Sequence, residues 1–295
     1  MQDGELVSVV IPAYNRERSI GRAISAVLAQ TYGNIEIVVV DDASSDGTAG
    51  RVAEIDHPKV RLVRHTHNRG AAAARNSGVA AANGAWVAFQ DSDDDWLPEK
   101  IARQVRHMAG LPADYVATFC TKIDYGCDQN RRYGNRLVSC MPDPRETIES
   151  GDLHARLLRG NIIGPQTVLV SKAAFAEAGG FDERLRNNED WDFFIRLSAR
   201  GKIGFLDDPL VVVLMSEDGI SRKNRSSAAS FVRVYGKIRR QSDDPALLAE
   251  LASQTSSKLR NIGRKASARR YLRRALQLRP FDPKLAGKYL YTFVY

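Results

Sequence analysis

Three short polar stretches carry the chemistry of this sequence, and each follows directly on an apolar run. Pro12-Ala13-Tyr14-Asn15-Arg16 follows Ser8 to Ile11, Asp41-Asp42-Ala43-Ser44-Ser45-Asp46 follows Ile35 to Val40, and Gln90-Asp91-Ser92-Asp93-Asp94-Asp95 follows Trp86 to Phe89. Carboxylates this closely spaced repel one another and are stable together only beside a cation or hydrogen-bond donors. A metal-chelated phosphate ligand meets that requirement, since a hard divalent cation combines few carboxylates with phosphate oxygens and water. A further acidic pair, Glu189-Asp190, opens a run with Trp191, Phe194, Ile195 and Ser198 on one helical face, where the helix dipole favours acids.

The elements that must position these residues are legible in the periodicity. Ser8 to Ile11 and Ile35 to Val40 are continuous β-branched runs, and Val60 to Val63 and Trp86 to Phe89 are shorter ones, all suited to strands buried on both faces. Between them lie helical patterns. Ile20, Ala23, Ile24, Val27 and Leu28 form an i, i+3, i+4, i+7, i+8 stripe, Asp46-Gly47-Thr48 turns into a second helix, Gly70 to Ala82 is an alanine-rich third, and a fourth starts at Pro98. This alternation predicts a parallel, right-handed, doubly wound sheet, in which ligands sit at the carboxyl ends of the strands. Further on, Tyr115 to Ile123 and Leu210 to Met215 read as strands and Asp128 to Pro144 as a long loop, with ordered structure returning at Leu153 to Leu158 and Thr167 to Val170.

The 295 residues, 43% hydrophobic and 26% charged, fit one large domain with a helical appendage and exclude disordered, collagen-like and fibrous classes. Of 43 Lys+Arg and 35 Asp+Glu, 18 and 4 fall in residues 221–295, so the tail is +14 and the rest −6. The expected division is therefore a body of residues 1–220 and a basic helical extension of residues 221–295 that meets an anionic partner. Arg269, Arg270, Arg273 and Arg274 share a helical face beside Leu272, Ala275 and Leu276, and Tyr289 to Tyr295 holds four aromatics. That combination fits peripheral membrane binding, the alternative being helices packed on themselves. No apolar run is long enough to span a bilayer, and no export leader opens the chain, so a cytoplasmic location is expected. Cys120, Cys127 and Cys140 have no CxxC spacing and read as reduced, structural thiols.

Six pieces in order, VSVVIPAYNR, VVVDDASSDGT, NRGAAAARNSG, WVAFQDSDDDWLPEK, GGFDE and NEDWDFFIRL, span roughly residues 7–200. Together they resemble the family 2 glycosyltransferases, enzymes of GT-A fold that use nucleotide-diphosphate sugars. The resemblance implies an α/β, GT-A Rossmann-like, doubly wound and mostly parallel sheet with a C-terminal helical extension. It implies metal-dependent, inverting transfer of a sugar from a nucleotide diphosphate, expected to be UDP, to a hydroxyl of a saccharide or lipid-linked acceptor, in bacterial surface-polysaccharide synthesis. It makes Asp93 the direct ligand of Mn²⁺ or Mg²⁺, Asp91 a ribose or water-mediated partner, and Arg75 a nucleotide contact. Asp190 becomes the base, with Glu189 and Trp191 beside the acceptor, where the Trp191 ring is expected to stack on a sugar face. Asp42 can accept from the N3–H of uracil, Tyr14 offers an aromatic body at the same edge, and Pro12 fixes the backbone there. Some relatives follow the last strand with a Tyr-Arg-x-His segment, whereas this chain reads Val213-Leu214-Met215-Ser216-Glu217-Asp218, so no third metal ligand is assigned. Such a protein would work in the cytoplasm or peripherally on the inner face of the cell membrane.

Two other classes compete. A nucleotidyltransferase would use a similar sheet, but the first strand leads into Pro12-Ala13-Tyr14-Asn15-Arg16-Glu17 without a glycine-rich, basic phosphate loop. A basic nucleic-acid or scaffold protein would explain the tail, but no aromatic-interleaved RNA motif or helix-turn-helix pattern is present, and no nucleic-acid partner is expected.

Overall fold

The β-branched runs form strands because their branched side chains pack on both faces of a covered sheet. In the computed structural model, which describes residues 4–125, 138–214 and 224–294, β1 (Val7–Ala13), β2 (Ile35–Asp41), β3 (Val60–Arg64) and β4 (Trp86–Phe89) alternate with α1 (Ile20–Leu28), α2 (Thr48–Ala53) and α3 (Ala71–Ala81). After β4 come β5 (Asp95–Trp96), α4 (Lys100–Ala109), β6 (Tyr115–Tyr125), β7 (Val138–Met141), α5 (His154–Arg159), β8 (Val168–Ser171), α6 (Lys172–Glu177), α7 (Glu189–Ser198) and β9 (Lys202–Leu214). The strand order is β3-β2-β1-β4-β8-β6-β9-β5, with β7 on β6. β3, β2, β1 and β4 are mutually parallel, as are β6 and β9; β8, which joins the two groups, runs antiparallel to both β4 and β6.

Within the expected loop 128–144, residues 128–137 lie outside the described residues, but Val138–Met141 pairs with β6 from Lys122↔Met141 to Tyr125↔Val138. That part is a strand because it completes the edge of β6. Met215, Glu217, Asp218 and Cys127 also lie outside the described residues. Cys120 is buried and Cys140 partly so, and both are free thiols.

Two close fits set the first half of the sheet. Val10 accepts from the Gln90 N–H at 3.0 Å, whereas Ala13 accepts from the Asp42 N–H at 2.8 Å, so even-numbered residues of β1 face β4 and odd-numbered ones face β2. Pro12 therefore turns its missing donor toward β4 beyond the last β1–β4 pair, Val10↔Phe89, where no ladder bond is lost. On one face of the sheet, a Cβ on Gly78 of α3 would lie 2.2 Å from Val10 Cγ1, so α3 packs directly on β1. α1 buries Ile20, Ala23, Ile24 and Val27 of the expected stripe, and Leu28 packs against the same core partly buried.

The chain divides into two compact units, one of Met1–Leu157, Asn161–Arg184 and Asp190–Glu217, the other of Leu158–Gly160, Leu185–Glu189 and Asp218–Tyr295. The second contains α8 (Asn224–Ile238), α9 (Pro245–Asn261), α10 (Lys265–Leu278) and α11 (Pro283–Val294), each packed on the next. Asp244 caps α9 by accepting from the Ala246 and Leu247 N–H groups at 2.9 and 3.3 Å, with Pro245 in the first turn. α10 buries Ala268, Leu272 and Ala275. Arg269 donates to the Thr292 carbonyl at 3.1 and 2.7 Å near the end of α11, and Arg273 meets the Tyr289 hydroxyl of the same helix at 3.4 Å. One guanidinium of the expected four-arginine face thus satisfies a helix-end carbonyl.

Candidate functional site

Because β1, β2 and β4 are parallel and adjacent, the loops that follow them share one rim. The post-β1 and post-β2 loops are stitched together: Asn15, at φ 54°, accepts from the Ser45 N–H at 2.9 Å, and its own N–H donates to Ser44 Oγ at 3.0 Å. Asp41, fully buried, accepts from the Ser44 N–H at 3.0 Å and faces Arg64 at 3.4 Å, a supporting position behind Asp42. Tyr14 is 45% exposed on this rim, available to a flat ligand in a way that an ordinary core tyrosine is not.

Asp42 is buried and holds the segment that precedes α3. Its carboxylate accepts from the Arg69 N–H at 2.8 Å and the Gly70 N–H at 2.7 Å, and pairs with His65 Nδ1 at 2.7 Å. Gly70, at φ 94°, makes this turn at no steric cost. His65 in turn meets Ser77 Oγ at 2.9 Å through Nε2, so it is a structural bridge. Sequence reasoning placed Asp42 on the rim; that it also organises the 69–70 turn follows from a contact 28 residues away in the chain.

Asp91, Asp93 and Asp94 converge after β4, each answered by a different group. Arg75 Nη2, reaching from α3, pairs with Asp91 Oδ1 at 2.8 Å, its side chain 7% exposed. Arg16 pairs with Asp93 at 3.3 Å, and Arg22 of α1 donates to the Asp93 carbonyl at 2.9 Å and pairs with Asp95 at 3.1 Å. Asp94 is buried, accepting from Gln166 Nε2 at 3.2 Å, while Gln90 donates to its carbonyl at 2.6 Å. Burial and then the charge of Asp91 push the Asp93 carboxyl above the usual range, Arg16 partly opposing them. Burial, followed by Asp91 and Asp93, pushes Asp94 up to about 9. Arg22 and Gln166 are site residues outside the three polar stretches, and Arg16, Gln90 and Asp94, which lie within them, carried no assigned partner there, because all five roles arise from loop convergence.

This donor set fits a divalent cation in a limited way. Three crowded carboxyls, two of them with raised pKa, are the electrostatic signature that a cation relieves. Among the described residues, however, no group of three or more His, Cys, Asp or Glu side chains is arranged to hold a metal ion. A cation held by Asp93 would therefore take most of its ligands from a bound diphosphate and water.

Asp190, in the first turn of α7, accepts from Asn161 Nδ2 at 2.8 Å and from the Trp191 N–H at 2.8 Å. α7 is locked to the rim through aromatic packing: Phe193 lies 4.7 Å from Phe181 between centroids, and the Arg75 guanidinium sits 5.6 Å from the Phe181 ring. Asn76 fixes Phe181 from both sides of its peptide, donating to its carbonyl at 2.9 Å and accepting from its N–H at 2.9 Å. Trp191 departs from expectation. It is 3% exposed and donates to the Leu157 carbonyl at 2.6 Å, so its ring belongs to the core and offers no face for stacking on an acceptor sugar.

Residues 8–168 match the model of glycosyl transferase family 2, and residues 155–246 match that of glycosyltransferase like family 2. The chain is 43% identical over 106 residues to the UDP-Glc:alpha-D-GlcNAc-diphosphoundecaprenol beta-1,3-glucosyltransferase WfgD of Escherichia coli, covering 36% of this chain and 42% of that one. It is 46% identical over 99 residues to the succinoglycan biosynthesis protein ExoO of Rhizobium meliloti, covering 34% of this chain and 28% of that one. These matches thus span less than half of either relative's length. Among solved structures, S. aureus TarS residues 1–349 matches with a TM-score of 0.68 at 19% identity, over 92% of this chain and 80% of that one. The mannosyltransferase PcManGT from Pyrobaculum calidifontis, in complex with GDP-Man and Mn²⁺, matches with a TM-score of 0.63 at 22% identity, over 98% and 80%. Both solved structures share the mixed α/β fold, and with a family model spanning more than half of its residues the chain belongs to glycosyl transferase family 2.

Proposed function

We propose that this protein is a metal-dependent, inverting glycosyltransferase that moves a sugar from a nucleotide-diphosphate donor, UDP being the expected nucleotide, to a hydroxyl of a saccharide or lipid-linked acceptor in bacterial polysaccharide synthesis. The observation that carries this reading is the rim where Tyr14, Asp42, Asp91 and Asp93 follow three adjacent parallel strands, with Arg75 reaching in from α3 to pair with Asp91 at 2.8 Å. The names of its relatives support it: WfgD uses UDP-Glc on a diphosphoundecaprenol-linked acceptor, ExoO serves succinoglycan biosynthesis, and TarS was crystallised with UDP-GlcNAc.

In this reading Tyr14 and Asp42 bind the base, Pro12 shapes the strand end beneath it, and Arg75 and Asp91 order the ribose and diphosphate side. Asp93 would hold Mn²⁺ or Mg²⁺, which when bound supplies charge neutralisation for the departing nucleotide diphosphate. Asp190, oriented by Asn161, takes the proton of the acceptor hydroxyl as that oxygen attacks the anomeric carbon from the face opposite the leaving group. Glu189 flanks the acceptor. The working division is the catalytic body of residues 1–220 and the basic extension of residues 221–295. Among the described residues no helix is long and apolar enough to cross a membrane. The net charge of the extension supports peripheral attachment at the cytoplasmic face of the membrane, where lipid-linked acceptors are reached.

Calorimetric titration with UDP, GDP and dTDP, each with Mn²⁺ and with a chelator, tests the donor site. Metal-dependent binding of UDP alone is the expected result. Binding of none, or equal binding in the chelator, would overturn the metal-dependent reading. Preference for GDP would replace the assigned base.

A further inference from the structure

A second basic feature lies wholly within the helical unit and shares no residue with the strand rim. Along α8 and just past its end, Tyr235, Gly236 and Arg239 occupy positions i, i+1 and i+4, and along α10 Arg270, Arg273, Arg274 and Gln277 occupy i, i+3, i+4 and i+7. Each set is one helical face, and the two faces line a single cleft of about 530 Å³. Four guanidiniums, permanently charged at physiological pH, thus border one cleft. Among the described residues no carboxylate lines it and none of Arg239, Arg270, Arg273 and Arg274 pairs with an acid; Arg273 meets the Tyr289 hydroxyl at 3.4 Å.

The cleft also holds a polar group that the fold leaves unanswered. Tyr235 is 3% exposed, its ring meets Tyr271 edge-on at 5.5 Å, and among the described residues its hydroxyl has no hydrogen-bond partner. Leaving a buried hydroxyl unpaired costs free energy, as does gathering like charges. Burial raises the Tyr235 hydroxyl above its ordinary pKa, with Arg274 and then Arg239 pulling it back, so it remains a donor at neutral pH beside those two cations. A ligand with several anionic oxygens relieves both costs at once, accepting paired guanidinium hydrogen bonds and one from the phenol.

We propose that the cleft between α8 and α10 is a binding site for a phosphate or diphosphate group, read by Arg239, Arg270, Arg273 and Arg274 with the Tyr235 hydroxyl as a fifth donor. A diphosphate matches the site better than a monophosphate because it can span guanidiniums from both helices. The group can come from a free diphosphate ester or from the headgroup of an anionic lipid. The proposal does not depend on the transferase reading, since the donor rim is elsewhere in the sequence and in the other compact unit.

The test uses the full chain and inorganic pyrophosphate, titrated at low salt in a chelator so that a metal-dependent donor site stays silent. Saturable binding is expected, at least tenfold weaker in R270Q/R274Q and about threefold weaker in Y235F, with Asp93→Ala unchanged. R270K/R274K, which keeps the charge but loses the planar fork, should fall between wild type and R270Q/R274Q. Sedimentation with phosphatidylglycerol–phosphatidylcholine vesicles separates the sources: competition by pyrophosphate identifies a lipid headgroup, and its absence identifies a free diphosphate ester. No pyrophosphate binding by the wild type, or equal binding by wild type and a folded R270Q/R274Q, overturns the proposal. So does loss of affinity in Asp93→Ala alone, or salt-sensitive binding of duplex DNA without pyrophosphate binding.

Discussion

Asn161 Nδ2 lies 2.8 Å from Asp190 Oδ2, so the carboxylate assigned as base is aimed by a residue 29 positions earlier, in the loop between α5 and β8. If the pair works as proposed, Asp190→Asn should lower kcat by about 10²–10⁴-fold while leaving the UDP dissociation constant within about twofold. Asn161→Ala, acting through orientation, should lower kcat by about tenfold at unchanged UDP affinity. Single-turnover assays beside calorimetry check both, and undiminished transfer by Asp190→Asn would remove it from the role of base.

Asp93→Ala should weaken UDP binding in Mn²⁺ by about 10-fold or more, and bring it to the value that wild type shows in a chelator. The raised carboxyl of Asp93 adds a pH dependence: its ionised form is what a cation needs, so Mn²⁺-dependent affinity should fall on acidification at a higher pH than an ordinary aspartate would give. Titration of UDP affinity between pH 8 and pH 5 measures this, and a pH-independent affinity would count against Asp93 as ligand.

Arg75 and Asp91 form a mostly buried ion pair between α3 and the post-β4 loop. Removing one partner strands the other, so Arg75→Met should cost about 3–5 kcal/mol of stability. R75M/D91N should recover part of that loss, a non-additivity that urea denaturation of the four proteins would reveal.

Lys100 is fully buried, with Nζ 3.7 Å from the Trp96 ring centroid and 2.8 Å from Gln104 Oε1, and burial lowers its pKa from 10.5 to about 8. Between those pH values the unfolded chain keeps a proton that the folded chain has lost, so stability should rise with pH there and carry the full cost below pH 8. Lys100→Met should abolish that rise, narrowing by about 1–3 kcal/mol the difference in unfolding free energy between pH 7.5 and pH 10. Equal pH dependence in both proteins would show that Lys100 is not the group responsible.

The β-branched runs and the α1 stripe placed β1, β2, β4 and α1, matching β4 and α1 at both ends and the middle of β1, because strand and helix periodicities are local and those elements bury most of their pattern. The same locality put Tyr14, Asp42 and Asp91 at strand ends, and parallel connection then placed them on one rim. Local pattern could not decide which acids meet which cations: Arg16, Arg75 and Gln166 reach Asp93, Asp91 and Asp94 across 77, 16 and 72 residues. Nor could it tell that Trp191 faces inward to Leu157 or that Arg269 is spent on Thr292 while its neighbours line a cleft. On an amphipathic helix the period gives a face, but the partner of that face is set by how elements distant in sequence pack, and that is a property of the tertiary structure.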